Sequence, residues 1–310
     1  MSEPTEYKKF EKLVQQFEPE SRLVRVWELE GGVSAQVTGL EIERPDGRSK
    51  KLVVRRHGTR DLQDNPNIAA DEFRLLQITR ASGLPTPTPL HLDQSCEIFS
   101  TPCIVLEYIE GVTVFAPSDL SEFIREMAAQ LSTIHSVDCS NLALSFLPKQ
   151  SIQTAKTVSV RPEILDESIG EGRIRDALES LWPWTQRNES ALLHGDFWPG
   201  NILWKDGQLA AVIDWEDART GDPVAELADS RLEILWAFGI DAMNDFTDHY
   251  KTIMPLDFTD LPYWDLYAAL RPAFRISDWA KGDVEQETMR QGHRLFVGQA
   301  FENLRGQLDT

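Results

Sequence analysis

Residues 194–226, HGDFWPGNILWKDGQLAAVIDWEDARTGDPVAE, place two carboxylates and one carboxamide, those of Asp196, Asp214 and Asn201, at the mouth of a predicted β-hairpin. Asp196 lies in a His-Gly-Asp turn, Asn201 follows five positions later, and Asp214 ends a second apolar run. The Asp-Gly dipeptide at 206–207 is a strong signal for a tight hairpin turn. The return strand is therefore expected to bring Asp214 back beside the other two, although the two aspartates are 214 − 196 = 18 positions apart.

These side chains suit phosphoryl transfer. Mg²⁺ prefers hard oxygen ligands and usually takes only one or two from protein, with the others from phosphate and water. The reaction also needs a carboxylate that orients the attacking hydroxyl and accepts its proton. The order of an Asp, an Asn five positions later and an Asp at a strand end is the order of the kinase catalytic loop and its metal-binding aspartate.

The motifs HGD, FWPGN and IDWED resemble those of the aminoglycoside phosphotransferase family, small-molecule kinases with a protein-kinase-like fold. The resemblance implies an α+β fold of two lobes, one with a small antiparallel β-sheet and one mainly helical. It makes Asp196 the catalytic base and Asn201 and Asp214 the Mg²⁺ ligands. ATP or GTP would donate its γ-phosphate to a hydroxyl of a small molecule. The nucleotide-binding lobe is predicted at residues 1–106, and the catalytic and substrate-binding lobe at residues 107–310.

Composition and charge limit the class of protein. A chain of 310 residues exceeds a typical single core, which favours two lobes. Its hydrophobic content of 41% and charged content of 26% are ordinary for a globular protein. The net charge of −19 argues against nucleic acid as a partner, because phosphate backbones select Lys and Arg. With no apolar run of membrane-spanning length and three cysteines at no metal-like spacing, we expect a cytoplasmic protein that makes no membrane contact.

The N-terminal part of the chain predicts a helix followed by a meander of strands. Apolar residues recur at helical spacing over 5–17. Alternating patterns then predict three strands, at 23–29, 34–42 and 51–56. Gly31 and Gly32 stand between the first two strands, where a backbone without side chains would approach phosphates closely, although a plain turn explains them equally well.

The third strand, KLVVRR at 51–56, carries the predicted phosphate ligand. Alternation puts Val53 and Arg55 on one face and Arg56 on the other. By the family resemblance, Val53 covers the adenine and Arg55 binds the phosphates in place of the usual lysine. Arg can bind phosphate bidentately, but its reach differs from that of Lys. A solvated Arg55, and Arg56 as the ligand, are the alternatives at this point.

Two further segments complete the predicted nucleotide site. The helix predicted over 68–81 places Glu72 where such kinases carry the acid that pairs with the phosphate-binding residue; an exposed helical glutamate is the alternative. The run CIVLEYI at 103–109 is typical of a buried strand, and the resemblance identifies it as the hinge between lobes. There the carbonyl of Glu107 and the amide of Ile109 would contact adenine.

The segment that follows Asp214 indicates the size of the acceptor. Only seven residues, WEDARTG, separate Asp214 from Asp222. A protein kinase needs a longer activation segment there to hold a peptide and to be switched by phosphorylation. The acceptor is therefore expected to be a small molecule. The aromatic and acidic residues of the C-terminal third would suit a cation, whereas Arg271 and Arg275, one helical turn apart, would suit an anion, so the substrate stays open.

Two other functions stay open from the sequence. One is a catalytically inactive nucleotide-binding protein of the same fold, which the unusual Arg55 favours and the intact Asp/Asn/Asp set disfavours. The other is a two-metal phosphoesterase, but that chemistry needs several His and Asp ligands for two ions about 4 Å apart, and the six histidines are scattered. We therefore predict a small-molecule phosphotransferase in which His135 and His194 brace the catalytic loop.

Overall fold

The computed structural model describes residues 4–29, 35–183 and 185–308. Gly31 and Gly32, which were predicted to approach the phosphates, lie outside these residues. Among the helices that the described ranges contain, none combines the length and the apolar character needed to cross a membrane.

Two compact units make up the chain. The first runs to Val112 and also includes Leu203–Glu216, whereas the second comprises Thr113–Ile202 and the chain from Asp217 onward. The predicted boundary between residues 106 and 107 stays a prediction. The sequence did not predict that the segment around Asp214, from the middle of the chain, belongs to the same unit as the N-terminal residues.

A five-stranded antiparallel sheet lies at the centre of the first unit, in the spatial order β1-β2-β3-β5-β4. Its strands are β1 (Arg22–Glu28), β2 (Ala35–Glu43), β3 (Ser49–His57), β4 (Pro89–Asp93) and β5 (Cys103–Glu107). The predicted meander is thus present, whereas β4 was not predicted. Its first residue is a proline, which a strand tolerates mainly at a sheet edge or at its first position, and Pro89 occupies both.

The inner face of this sheet packs on the first helix, α1 (Pro4–Phe17). Phe10 and Leu13 of α1 meet the buried side chains Leu52 and Val54 of β3 in one apolar cluster. Burying a side chain of this size contributes about 1.5–3 kcal/mol. Because successive strand residues alternate in facing, this packing turns Arg55 to the opposite face of the sheet.

Two helices follow β3 in the chain, α2 (Thr59–Asp64) and α3 (Ile68–Ala81). The structure has α3 at the predicted bounds and buries Glu72, Leu75 and Leu76. The helix α2 was not predicted because it has no buried residue, and hence no apolar periodicity.

The predicted hairpin consists of β7 (Ile202–Lys205) and β8 (Gln208–Val212), with β6 (Ala191–Leu193) preceding it in the chain. The two turn residues Asp206 and Gly207 have φ angles of 52° and 79°. Positive φ at both central residues is what a type I′ turn requires, and Asp-Gly is among its preferred dipeptides. The hairpin inferred from sequence is therefore confirmed.

The described part of the second unit is mainly helical. Its helices are α4 (Leu120–His135), α5 (Gln150–Ser159), α6 (Glu171–Leu181), α7 (Pro223–Phe238), α8 (Ile240–Ile253), α9 (Leu261–Ala268), α10 (Ile276–Trp279) and α11 (Asp283–Leu308). The strand β9 (Arg219–Gly221) pairs antiparallel with β6. Phe246, Tyr250 and Trp264 are buried in the core, so these aromatic residues do not form a cation pocket.

Candidate active site

Arg55 is the centre of a charged cluster in the first unit. Its Nε lies 3.3 Å from Glu72 Oε2. Its Nη2 lies 2.6 Å from Asp214 Oδ1 and 2.5 Å from Glu216 Oε2. Arg55 itself is only 7% exposed. The solvated arginine considered from sequence is thus not observed, and Glu72 is likewise buried and paired.

His57 joins the same cluster, since it stands two positions after Arg55 and shares its face of β3. Its Nε2 lies 2.9 Å from Glu72 Oε2, and its Nδ1 lies 3.3 Å from Glu216 Oε2. Burial of the ring opposes protonation, but the carboxylates of Glu216 and Glu72 outweigh it and raise the pKa of His57 to about 9. The imidazole is therefore a cation at neutral pH.

Asp214 is suited to hold a metal ion. It has a φ of 66°, in the left-handed region that Asp tolerates better than most residues. Burial raises the pKa of Asp214 to about 6; Arg55 opposes this rise, and the carboxylates of Glu216 and Glu72 add to it. The carboxylate still ionises at neutral pH, in surroundings where a further cation relieves repulsion. Its side chain keeps 28% exposure, so a hard cation such as Mg²⁺ can reach it.

Arg56 points to the other face of β3. Its guanidinium carbon lies 4.4 Å from the ring centroid of Phe99, and its Nη2 lies 3.2 Å from Glu6 Oε1. Arg55 alone of the two strand arginines therefore meets Glu72 and Asp214. Val53 is half-buried on the Arg55 face, and its adenine contact stays a prediction.

In the predicted hinge, the side chain of Glu107 binds a neighbouring segment of the same unit. This carboxylate accepts hydrogen bonds from Thr88 Oγ1 at 2.5 Å and from Thr88 N at 3.3 Å. Ile109 follows β5 as a half-buried residue. Because only backbone atoms of Glu107 and Ile109 were expected to meet adenine, their predicted roles are compatible with these contacts and stay predictions.

The second unit holds Asp196 in the loop between β6 and a 3₁₀ turn at Pro199–Asn201. Asn201 Nδ2 donates to the Asp196 carbonyl at 2.9 Å and to Asp196 Oδ2 at 3.0 Å. Because the amide nitrogen makes both bonds, the amide oxygen is the atom of Asn201 that can ligate Mg²⁺. One carboxamide can thus orient the carboxylate and offer a metal ligand.

The other carboxylate oxygen of Asp196 accepts a hydrogen bond from Arg271 Nη2 at 2.8 Å. Arg271 Nη1 lies 3.7 Å from Glu233 and 3.9 Å from Asp229, both on α7. Burial raises the pKa of Glu233 to about 7, while Arg271 opposes the rise. The reading of Arg271 and Arg275 as partners on one helix is wrong, because turns connect α9 to α10 there and Arg271 faces Asp196.

We expect Arg271→Gln to lower turnover about 10-fold or more without changing KM for nucleotide, because Asp196 loses the donor that orients it. Steady-state kinetics at saturating nucleotide measures both constants. Arg231→Gln is the matched control: Arg231 is buried, and its Nε lies 3.0 Å from Asp265 Oδ1, so that it pairs with Asp265 and not with Asp196. It should lower stability and spare turnover per folded molecule. Equal effects of the two substitutions on turnover would contradict an orienting role.

Glu226 of α7 holds the loop that precedes Asp196. Its Oε2 accepts a hydrogen bond from His194 N at 2.9 Å, and its Oε1 accepts one from Gly195 N. His135 Nε2 lies 2.8 Å from the same carboxylate, and its Nδ1 lies 2.6 Å from the Tyr250 hydroxyl. Burial opposes ionisation of Glu226, but its bonds with His135 prevail and lower its pKa. His135 is structural, as the sequence predicted.

Gly195 is required in this loop by two features. Its φ is 88°, a left-handed conformation that glycine adopts without strain. A Cβ at this position would stand 2.0 Å from the carbonyl oxygen of Asp217. The glycine of the His-Gly-Asp motif therefore lets the loop turn closely beside the backbone that follows Asp214.

Glu226→Gln is expected to lower the free energy of unfolding by about 2–4 kcal/mol, because an amide nitrogen would face a buried donor that now meets a carboxylate. Urea denaturation followed by circular dichroism measures the loss. Glu122→Gln is the control, since Glu122 pairs with Arg125 on an exposed helix face and should cost under about 1 kcal/mol. Similar losses in the two variants would contradict the bracing role.

Several residues of these two clusters escaped the sequence analysis: His57, Glu216, Glu226, Asp229 and Glu233. The sequence could have indicated His57, because residues two positions apart on a strand face the same side, as Arg55 and His57 do. Glu216 stands two positions after Asp214, but no periodic element there predicts its facing. The α7 acids resemble a solvated helical face in sequence, and only the structure shows them buried or facing Arg271.

Comparison with known proteins agrees with this geometry. Residues 28–252 match the model described as the phosphotransferase enzyme family, APH. Acyl-CoA dehydrogenase family member 10 of Mus musculus is 27% identical over 244 residues, which are 74% of this chain and 22% of that protein. Homoserine kinase of Phenylobacterium zucineum (strain HLK1) is 26% identical over 219 residues, 64% of either chain. The chain therefore spans less than two thirds of the length of both relatives.

A solved structure shows the same fold. The ternary complex of a thermostable mutant of aminoglycoside phosphotransferase APH(4)-Ia with ADP and hygromycin B has a TM-score of 0.61 at 17% identity. The match covers 93% of this chain and 97% of that chain. The predicted α+β, protein-kinase-like fold, with a small antiparallel sheet in one unit and a mainly helical second unit, is confirmed.

Proposed function

The chain belongs to the phosphotransferase enzyme family, a family of small-molecule kinases, and from this premise we propose that it moves the γ-phosphate of ATP or GTP to a hydroxyl of a small molecule. The observation that carries the proposal is the pairing of Asp196 with Asn201 at 3.0 Å. That pair joins a fixed carboxylate to an amide oxygen able to bind metal, which are the parts that phosphoryl transfer needs in its catalytic loop.

In this mechanism Asp196 orients the acceptor hydroxyl and takes its proton as the oxygen attacks the γ-phosphorus; the bond from that phosphorus to the β–γ bridging oxygen breaks, and the nucleoside diphosphate leaves with the bonding electron pair. Asn201 and Asp214 would hold Mg²⁺, whose charge offsets the negative charge of the phosphates. Arg55 would bind phosphate oxygens through its guanidinium, while Glu72 keeps that group in place. Arg271 donates a hydrogen bond to Asp196 Oδ1 and so fixes the direction of this carboxylate.

The residues that would contact the adenine and the phosphates are assigned by the family resemblance. Val53 would cover the adenine, and the carbonyl of Glu107 and the amide of Ile109 would bond to its edge. Gly31 and Gly32 would let the backbone approach the phosphates, because glycine has no side chain in the way. These assignments rest on sequence position.

The segment after Asp214 supports a small acceptor. Trp215 is buried, Arg219–Gly221 forms β9, and α7 begins at Pro223. The residues after Asp214 are thus part of the core, of β9 and of α7, whereas in a protein kinase the corresponding segment holds a peptide. Hydroxyl compounds of the kinds named for the relatives, an amino alcohol such as homoserine and a sugar antibiotic such as hygromycin B, are the acceptors to test first.

A thermal-shift experiment tests nucleotide use directly. The melting temperature should rise with ATP or GTP in the presence of Mg²⁺, and less with the same nucleotide in EDTA, because Asp214 and Asn201 would hold the ion and its charge would offset that of the phosphates. The rise at matched concentrations ranks ATP against GTP. A protein that melts at the same temperature with and without either Mg²⁺–nucleotide would contradict the proposal.

A catalytically inactive nucleotide-binding protein is the second candidate. It is favoured by the contact of 2.6 Å between Arg55 and Asp214, the predicted metal ligand, since an arginine stands there in place of the usual lysine. The Asp196–Asn201 pair disfavours it, because binding alone needs no oriented base. Nucleotide binding without phosphorylation of any acceptor would support this candidate.

We also place the protein in the cytoplasm. Cys96, Cys103 and Cys139 are free thiols in the structure, which suits a reducing compartment. A nucleoside triphosphate co-substrate suits the same compartment. Fractionation of cells that express the full chain checks this assignment.

A further inference from the structure

Four side chains of the Arg55 cluster form a closed ring, here called the charge ring: Arg55, Glu72, His57 and Glu216. Glu72 Oε2 lies 3.3 Å from Arg55 Nε and 2.9 Å from His57 Nε2. Glu216 Oε2 lies 2.5 Å from Arg55 Nη2 and 3.3 Å from His57 Nδ1. Cations and carboxylates therefore alternate around the ring, and each carboxylate shares one oxygen between two cations.

The charge ring balances only when His57 is protonated. Both ring nitrogens of His57 face a carboxylate, and a neutral imidazole has an N–H on only one of them. With His57 as an imidazolium, the two cations and two carboxylates of the charge ring sum to zero charge. Asp214 then carries the remaining negative charge next to Arg55. Without that proton the buried carboxylates exceed the cations, which is costly where the His57 ring is fully shielded from solvent.

We propose that His57 is a positioning residue for nucleotide binding: its imidazolium holds Glu72 and Glu216, and through them the guanidinium of Arg55. The proposal rests on the proposed function and deepens it. Asp214 is both a partner of Arg55 and the predicted metal ligand. If Asp214 ligated a metal ion, Glu72 and Glu216 would still hold Arg55 in place to receive a phosphate.

Charged groups from four segments face His57, so pH should act through it. They are Arg55 on β3, Asp61 on α2, Glu72 on α3 and Glu216 after β8; Asp214 contacts Arg55. The pKa of about 9 for His57 lies above its ordinary value of 6.5. The stabilisation of the charge ring by protonated His57 is therefore complete below about pH 6.5 and is lost as pH rises through 9. Nucleotide affinity should weaken over the same upper range.

Calorimetric titration of the full chain with Mg²⁺–ATP tests this inference. His57→Gln is expected to weaken binding about 10-fold at pH 7.5, since glutamine cannot supply the positive charge. His57→Lys should restore part of the affinity. His91→Gln is the matched control, because His91 is a half-buried histidine of the same unit that contacts Gln16, not the charge ring. Its affinity should equal that of the wild type.

The pH profile separates a positioning role from a merely structural one. Wild-type affinity for Mg²⁺–ATP should fall severalfold between pH 7.5 and 9.5, and a folded His57→Gln variant should show a flatter profile. Wild-type affinity that stays constant over this range would overturn the inference, even if the variant fails to fold. Failure of the wild type to bind Mg²⁺–ATP or Mg²⁺–GTP at pH 7.5 would instead contradict the proposed function.

Asp61→Asn provides a further check on the charge ring. The side chains of Asp61, His57 and Glu216 have ligand atoms within 4.8 Å of one another, a set that could hold a metal ion. Asp61 is outside the charge ring, so the substitution should change Mg²⁺–ATP affinity less than twofold. A loss equal to that of His57→Gln would overturn the ring and make His57 part of a metal site.

Discussion

Asp196→Asn is expected to lower turnover about 10²-fold or more while Mg²⁺–nucleotide affinity stays nearly unchanged. The asparagine can still accept a hydrogen bond from Arg271 or Asn201, both of which now contact the carboxylate. It cannot take the proton of the acceptor hydroxyl, and a positioned base contributes about 10²–10⁴-fold to such reactions. Steady-state kinetics combined with calorimetric titration of nucleotide separates turnover from binding.

Asp206→Asn is the matched control for this substitution. Asp206 is an exposed residue of the hairpin turn, and asparagine accepts the positive φ that the turn needs. The control should retain wild-type turnover and affinity. If Asp196→Asn also retained wild-type turnover, Asp196 would not be the base, and another carboxylate would have to be found.

Asp214→Ala is expected to abolish the dependence of nucleotide binding on Mg²⁺. The ion would lose its charged protein ligand, and the affinity for Mg²⁺–ATP should fall about 10²-fold. Arg55 loses a carboxylate partner at the same time, so the affinity for metal-free ATP should stay or rise. Calorimetric titration with ATP, in Mg²⁺ and in EDTA, measures the two affinities separately.

Asn201→Ala tests the second metal ligand in the same experiment. It should weaken Mg²⁺–ATP binding less than Asp214→Ala, because a neutral amide contributes less than a carboxylate to a divalent cation. It should lower turnover as well, since Asp196 Oδ2 loses its donor. Equal Mg²⁺–ATP affinity in wild type and Asp214→Ala would refute the assignment of the metal site.

Local sequence signals were enough to predict the central part of the fold. Asp206-Gly207 between two apolar runs determines the hairpin turn, and local sequence pattern predicts α1 and α3. These signals work because the residues that decide each element are neighbours in the chain. The elements that were missed, such as α2 and β4, lack a buried face or begin with proline.

The contacts of the candidate site were harder to predict because they join distant parts of the chain. Arg55 meets Glu216 across 161 positions, and Arg271 meets Asp196 across 75 positions. No local pattern distinguishes these residues from charges on a solvated surface. Motif order predicts Asp196, Asn201 and Asp214 as site residues, whereas the side chains that contact them are brought there by tertiary packing.

The carboxylates around β3 also explain why an arginine suits this position. Arg55 uses Nε for Glu72 and Nη2 for both Asp214 and Glu216. A lysine offers one nitrogen and could not reach the same set of oxygens in this geometry. The change from the usual kinase residue is therefore matched by Glu216 and His57, which complete the charge ring around the longer, planar group.

The most direct test of the phosphotransferase assignment is the detection of phosphorylated product. The chain is incubated with Mg²⁺ and ATP or GTP labelled with ¹⁸O in the γ-phosphate, together with a panel of hydroxyl compounds that includes homoserine and hygromycin B. Mass spectrometry should find the labelled phosphate on an acceptor with the wild type and the Asp206→Asn control, and about 10²-fold less with Asp196→Asn. Label that stays on the nucleotide with every acceptor, although Mg²⁺–nucleotide binds, would contradict the account.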